Sequence, residues 1–192
     1  KAYSDFAILY RTNAQSRVFE EKLVYEGIPY RIIGAINFYA RKEIKDLLAY
    51  LKTIDNGRDD LAVKRIINVP KRGIGATSIN RVSNYAMDND IDFYSALRRA
   101  ADIPGVGRAE SKIRPFVLFI QGLKAKAELL SVSQLLEEII EQTGYVDELR
   151  AEGTDEAEAR IENINELISK TVAYEESTDE PSLSGFLEEV AL

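Results

Sequence analysis

The first 34 residues carry two short apolar runs on either side of a helical pattern. Asp5–Tyr10 is mostly apolar and lacks helical periodicity, which is typical of a buried parallel strand. A helix is predicted from Asn13, a good N-cap, to Gly27, a C-terminal stop, and Tyr30–Gly34 has the pattern of a second strand. This order predicts a βαβ unit. Since such a unit cannot cover both faces of its own sheet, we expect it to belong to a larger α/β domain.

Beyond Phe38 the apolar positions recur with the period of an α-helix, and no further strand pattern follows. The predicted helices span residues 42–54, 59–68, 77–89, 92–100, 108–130, 133–143, 145–152, 155–175 and 182–192. Asp92, Ser133 and Ser182 are their predicted caps, and the acidic residues 175–180 are expected to form an exposed loop. The chain is therefore predicted to be mainly α, with an all-helical subdomain at 39–192 preceded by the βαβ fragment at 1–38.

The composition excludes several kinds of chemistry. The chain has no cysteine and no histidine, which rules out disulfides and zinc sites of the usual kind and removes the commonest general base. With no membrane-spanning stretch and no secretory signal pattern, the sequence predicts a cytoplasmic protein without membrane contact. Because the chain starts at Lys1 and runs directly into a predicted strand, we expect it to be an internal segment of a longer protein.

The net charge of −7 hides an asymmetry between the two ends of the chain. Residues 1–130 hold 22 Lys and Arg against 15 Asp and Glu, a net charge of +7, whereas residues 131–192 hold 3 against 17, a net charge of −14. Contact with a polyanion is therefore expected in the first two thirds of the chain. A chance distribution of solvated charges remains open as the alternative.

The most informative motif lies between two predicted helices, where residues 69–77 read Val-Pro-Lys-Arg-Gly-Ile-Gly-Ala-Thr. It is typical of a helix-hairpin-helix turn. Gly73 and Gly75 lack a Cβ, so backbone N–H groups there and at the start of the next helix, near Thr77, can converge on a phosphate. Lys71 and Arg72 add positive charge, and Ile74 is expected to point inward. The motif predicts contact with the DNA backbone rather than with bases. An ordinary helix-helix turn is the alternative.

A second element of the same kind follows about 32 residues later, at Ile103-Pro104-Gly105-Val106-Gly107. Gly105 and Gly107 take the places of the two glycines, although fewer cations flank them. Two such hairpins are predicted to touch phosphates on either side of a groove. Here too an ordinary turn remains the alternative.

Tyr10, Arg11 and Asn13 lie where the first predicted strand ends and the helix begins, the edge at which open α/β sheets bind ligands. Arg11 and Asn13 suit contacts to phosphates or base edges, and Tyr10 suits stacking on a base. The alternative is that Asn13 only caps the helix and that Tyr10 belongs to the core.

No sequence of the type Gly-x-x-x-x-Gly-Lys-Ser/Thr occurs, and no strand ends in paired acids that would hold magnesium. The segment by itself is therefore predicted to have no catalytic residues, no metal site and no bound cofactor, and to be inactive as an ATPase.

Several separated segments resemble the UvrD/PcrA-type superfamily 1 DNA helicases in the same order and spacing, and together they cover nearly the whole chain. They are Phe6–Arg17, Ile28–Arg31, Phe38–Asp46, Asn68–Gly75, Arg160–Leu167, Phe186–Leu187 and Ala191–Leu192. The resemblance implies that residues 1–38 are part of the second RecA-like motor domain. It implies further that residues 39–192 are the helical subdomain inserted in that domain, usually called 2B.

The resemblance also implies roles for individual residues. The segment at Tyr10, Arg11 and Asn13 would contact single-stranded DNA, and so would Asn37, where related sequences tend to carry Lys or Arg. The hairpin at Gly73 and Gly75 would grip duplex DNA.

The protein that contains this segment would then be an ATP-dependent 3′-to-5′ DNA helicase acting in repair or replication. ATP and magnesium would bind outside the segment. Its partners would be single-stranded and duplex DNA, the remaining helicase domains, and repair or replication proteins. Two further functions remain open from the sequence: a helix-hairpin-helix adaptor that binds DNA without a motor, and a protein-interaction or autoinhibitory module whose acidic end docks a partner.

Overall fold

The protein is described from a computed structural model of the chain, which describes residues 2–10, 19, 22–23, 25–32 and 38–191. The chain divides into two compact units, Lys1–Phe38 and Tyr39–Leu192. None of the described residues lies in a β-strand.

The first unit contains a 3-10 turn at Tyr3–Asp5, followed by residues 6–10 without regular secondary structure. Leu9 is 95% exposed, so these residues are not the buried strand that the apolar run predicts. A strand exists only where a neighbouring strand completes its hydrogen bonds, and none of the described residues does so here. Tyr30–Ile32 of the second predicted strand likewise have no regular secondary structure, and its last two residues lie outside the described residues. The predicted βαβ unit is thus not confirmed.

A helical segment of the first unit ends as the sequence predicts. Lys22, Leu23 and Tyr25 are helical, and Gly27 follows with φ at 65°. The N–H of Ile28 donates to the carbonyl of Leu23, which satisfies one of the last carbonyls of the helix. Glycine suits this position because a left-handed backbone conformation costs it least.

The second unit is entirely helical over its described residues, as the periodicity predicts. Its α-helices are α1 (Lys42–Asp55), α2 (Asp60–Ile66), α3 (Ala76–Asp88), α4 (Phe93–Leu97), α5 (Gly107–Ala127), α6 (Val132–Thr143), α7 (Tyr145–Glu152), α8 (Asp155–Ser177) and α9 (Leu183–Glu189). A 3-10 turn at Phe38–Ala40 begins at the last residue of the first unit, and a second 3-10 turn, Ala100–Asp102, lies within the second unit. None of the helices in the described part of the chain combines the length and apolarity needed to cross a membrane.

Helix α1 is the centre of the second unit. It packs on α2, α5, α6, α8 and α9, and most of its side chains are buried, including Ile44, Leu47, Tyr50 and Leu51. This helix is buried on nearly every side, so it needs neighbours around most of its surface, and the surrounding helices form a shell.

A polar network ties three helices together inside this shell. The carboxylate of Asp46 on α1 is 1% exposed and accepts hydrogen bonds from Arg65 Nε on α2 and from the Tyr145 hydroxyl on α7, both at 2.7 Å. Because both partners of the buried carboxylate are fixed, the network specifies how α2 and α7 are placed on α1. Burial, together with the Asp46 carboxylate, raises the pKa of the Tyr145 hydroxyl well above its ordinary value.

Helix caps follow the expected chemistry with one correction. Asp92 and Ser182 cap α4 and α9 as predicted. The cap of α6 is Ser131, with Gln134 completing a capping box, and not Ser133. The N–H and hydroxyl of Ser133 instead donate to the carboxylate of Glu175. Glu175 therefore belongs to the last turns of α8 rather than to an acidic loop.

Candidate nucleic-acid interface

The first candidate contact is the segment Asn68–Gly75 between α2 and α3, called hairpin 1 from here on. The side chain of Asn68 pairs with the backbone of Ile74, much as a neighbouring strand would. Its amide donates to the carbonyl of Ile74 at 2.7 Å, and its oxygen accepts from the Ile74 N–H at 3.1 Å. Ile74 is 3% exposed, so it anchors the tip in the core. The sequence alone assigned Asn68 no role of its own, because the partner of its side chain lies six residues further along the chain.

Arg72 holds hairpin 1 from the inside. Its guanidinium donates to the carbonyls of Ile66 and Ile67 at the end of α2, at 2.8 and 3.3 Å, and to the hydroxyl of Tyr50 at 2.8 Å. Its central carbon also lies 5.0 Å from the ring centre of Phe116 on α5. Arg72 therefore fastens the hairpin to three helices.

Tyr50 is the buried end of this arrangement. Its side chain is fully buried, and its hydroxyl donates to the carbonyl of Val69 while accepting from Arg72. Burial raises the pKa of this hydroxyl, against the lowering effect of the Arg72 guanidinium, so Tyr50 stays a neutral donor at physiological pH. No local pattern indicates this pair, because Tyr50 lies 22 residues before Arg72.

The two glycines of hairpin 1 have different environments. Gly73 has φ at +68°, which favours glycine, and its carbonyl accepts from Lys112 Nζ on α5 at 2.9 Å. Gly75 has φ at −72° and ψ at 153°, a conformation open to any residue, and a Cβ placed on it would meet nothing within 4 Å. The space in front of Gly75 is therefore open, and glycine is not required there by the backbone.

Helix α3 begins directly after this open position. Gly75 is its N-cap and, within the described chain, no side chain caps the helix. The first N–H groups of a helix have no partner within it, so those near Thr77 are available to a ligand at the positive end of the helix dipole. Lys71 and Thr77 are both exposed beside them.

The second candidate contact, hairpin 2, consists of Ile103–Gly107 before α5. The N–H of Val106 donates to the carbonyl of Ile103 across a turn in which Gly105 has φ at +78°. Ile103 and Val106 are buried. Gly107 opens α5 with no side-chain cap among the described residues, and a Cβ on it would also meet nothing within 4 Å.

Hairpin 2 is held from α3. The guanidinium of Arg81 donates to the carbonyl of Gly105. Arg81 and Lys112 are exposed residues that sequence reasoning left out of the site, because their contacts connect positions 24 and 39 residues apart.

Of the residues predicted to contact single-stranded DNA, Arg11, Asn13 and Asn37 lie outside the described residues. Tyr10 is partly buried and has no regular secondary structure. Within the described chain, no cluster of three or more acidic side chains is arranged to hold a metal ion.

Comparison with known families identifies the chain. A model of the UvrD-like helicase C-terminal domain matches residues 1–192. The chain belongs to this helicase family. The match covers the whole sequence, and so agrees with the resemblance drawn from its separated motifs.

Curated relatives give the same result. The chain is 44% identical over 189 residues to a protein of Bacillus subtilis (strain 168) named ATP-dependent DNA helicase PcrA, covering 98% of this chain and 26% of that protein. It is also 44% identical over 194 residues to the protein of the same name from Staphylococcus aureus (strain Mu50), covering all of this chain and 27% of that one. The chain thus spans about a quarter of the length of these relatives.

Proposed function

We propose that this chain is the DNA-binding segment of an ATP-dependent 3′-to-5′ DNA helicase, here called the parent helicase. Residues 39–192 would be its 2B-type subdomain and would hold duplex DNA through hairpins 1 and 2. Residues 1–38 would be part of the second RecA-like motor domain and would contact single-stranded DNA through Tyr10, Arg11, Asn13 and Asn37. Membership of the UvrD-like helicase family and the names of the PcrA relatives support this proposal over an adaptor without a motor.

The main support for the duplex contact is that the second glycine has a similar environment in both hairpins. Gly75 and Gly107 each stand at the start of a long helix without a side-chain cap, with open space where a Cβ would lie. A phosphate oxygen can approach these N–H groups closely, and the helix dipole favours its negative charge. Such contacts bind the DNA backbone without reading bases, as a helicase that unwinds any sequence requires.

The cations around hairpin 1 divide into two roles in this proposal. Lys71 is exposed and free to meet a phosphate. Arg72, which the sequence treats as equivalent to Lys71, has its guanidinium engaged by the carbonyls of Ile66 and Ile67 and by Tyr50. We therefore assign Lys71 to DNA contact and Arg72 to holding the hairpin in shape.

ATP and magnesium would bind to the parent helicase outside this segment, between its motor domains. The parent helicase would have the other motor domains and repair or replication proteins as partners. The segment would bind DNA, and other parts of the parent helicase would hydrolyse ATP.

Substitution of the second glycines tests the duplex contact. Gly75→Val and Gly107→Val leave the fold intact, since each added side chain meets open space, but each covers the N–H groups that would bind phosphate. In the parent helicase we expect both variants to bind a single-strand/duplex junction more weakly, by about fivefold or more, with single-strand affinity unchanged. Gly122→Val is the matched control, because Gly122 on α5 also faces open space but lies away from both hairpins.

Equal junction affinity in wild type, Gly75→Val and Gly107→Val, with all proteins folded, would contradict the duplex contact. A loss shared by Gly122→Val would mean that added bulk on this subdomain, rather than the hairpins, weakens binding.

A further inference from the structure

The two hairpins are held by a reciprocal pair of cations. Arg81 lies on α3, the helix that follows hairpin 1, and donates to the carbonyl of Gly105 in hairpin 2. Lys112 lies on α5, the helix that follows hairpin 2, and donates to the carbonyl of Gly73 in hairpin 1 at 2.9 Å. Each hairpin is thus fixed by the helix that the other one starts.

The first glycine of each hairpin provides the room for this exchange. A Cβ on Gly105 would lie 2.7 Å from the Arg81 guanidinium, and a Cβ on Gly73 would lie 3.2 Å from Lys112 Nζ. Both glycines also have positive φ. The first glycine of each hairpin therefore turns the chain and leaves room for a cationic side chain. The second glycine, Gly75 or Gly107, has open space where a Cβ would lie.

Helix packing also connects the two hairpins. Helices α3 and α5 both pack on the five-residue helix α4. Each cation–carbonyl contact joins one hairpin to the helix that follows the other hairpin, and it also offsets the negative end of a carbonyl dipole close to where a phosphate would bind. A pair of contacts that is fixed in advance binds one ligand more tightly than two contacts that move independently, because less freedom is lost on binding.

We propose that Arg81 and Lys112 are positioning residues that lock the two hairpins at a fixed separation, so that both grip phosphates of the same duplex at once. This rests on the proposed duplex contact of the hairpins. The two cations act through the hairpins and not by touching DNA, and their removal uncouples the two grips.

A double-mutant cycle on the parent helicase separates this role from direct contact with phosphate. Arg81→Ala and Lys112→Ala should each weaken junction binding by about fivefold when both hairpins are intact. In a Gly75→Val or Gly107→Val background, where only one hairpin can grip, the same substitutions should have little further effect. Both side chains are exposed, so the variants keep the core. Arg150→Ala, which removes one exposed positive charge on α7, is the matched control.

Each outcome has a distinct meaning. If Gly75→Val and Gly107→Val themselves leave junction binding unchanged, the duplex contact fails and the positioning role falls with it. If the glycine variants weaken binding but Arg81→Ala and Lys112→Ala do not, the hairpins bind DNA independently and the positioning role is wrong. If the effects of Arg81→Ala and Lys112→Ala persist in full in both glycine backgrounds, and each lowers the slope of log K against log salt by about 0.9, the two cations contact phosphates directly and the positioning role is again wrong.

Discussion

At the scale of single residues, the two cations and the two glycines of hairpin 1 have different environments. Lys71 and Arg72 are adjacent and carry the same charge, yet one is exposed and the other fastens hairpin 1 to the end of α2 and to Tyr50. Gly73 and Gly75 look alike in the motif, yet only Gly73 has positive φ. These differences depend on partners far away in the chain, which no local pattern encodes.

The two cations of hairpin 1 should therefore differ in their effect on stability. Arg72→Ala removes charged hydrogen bonds to Tyr50 and Ile66 in a partly buried site, and we expect it to lower the free energy of unfolding by about 2 kcal/mol or more. Lys71→Ala should change it by less than about 0.5 kcal/mol. Urea unfolding of the 192-residue chain measures both. Equal values for the two variants would mean that Arg72 does not hold the hairpin.

At the scale of elements, periodicity predicted the helical architecture of residues 39–192 well. Helix α7 has the predicted bounds, and α1 differs by one residue at its end. The helix caps were predicted less well than the helices. Both Ser131 and Ser133 suit the start of α6, and the contact of Ser133 with Glu175 is what distinguishes them. The strands of the first unit were not confirmed. A short apolar run becomes a strand only beside a partner, and that partner is not encoded within the run.

The hydrogen bond from Tyr145 on α7 to Asp46 on α1 should make the free energy of unfolding fall at alkaline pH. The pKa of Tyr145 is raised in the folded chain, so above the ordinary tyrosine pKa of about 10 the unfolded chain releases a proton that the folded chain keeps. Unfolding then becomes easier as pH rises, and this group should cost about 1 kcal/mol between pH 10 and pH 11. Tyr145→Phe should be less stable at neutral pH but should lose less stability over that interval. The same alkaline loss in both proteins would show that Tyr145 is not held as described.

At the scale of the whole molecule, the charge asymmetry agrees with the placement of the hairpins. Both hairpins and the helices that brace them lie within residues 1–130, whereas α6 to α9 belong to the acidic last third. Because negative charge repels DNA, the proposed duplex contact is expected at the hairpins and not at α6 to α9. The family was indicated by separated sequence motifs in the same order and spacing as in its members. The contacts of Arg81 with Gly105 and of Lys112 with Gly73 join residues far apart in the chain, so no local pattern predicts them.

The segment on its own should not hydrolyse ATP. Its sequence has neither the phosphate-binding loop nor the paired acids that hold magnesium in such motors. A steady-state ATPase assay of the purified 192-residue chain, with and without single-stranded DNA, is expected to give the background rate. DNA-stimulated turnover that persists through further purification would contradict this expectation.

The most direct test of the duplex grip is amide hydrogen exchange on the parent helicase bound to DNA. The N–H groups at the starts of α3 and α5 are expected to be those that meet phosphate. Exchange in residues 75–77 and 107–108 should therefore slow when a single-strand/duplex junction is added, and should stay unchanged with single-stranded DNA alone. If the junction is bound and both segments still exchange at the rate of the free protein, the hairpins do not hold the duplex.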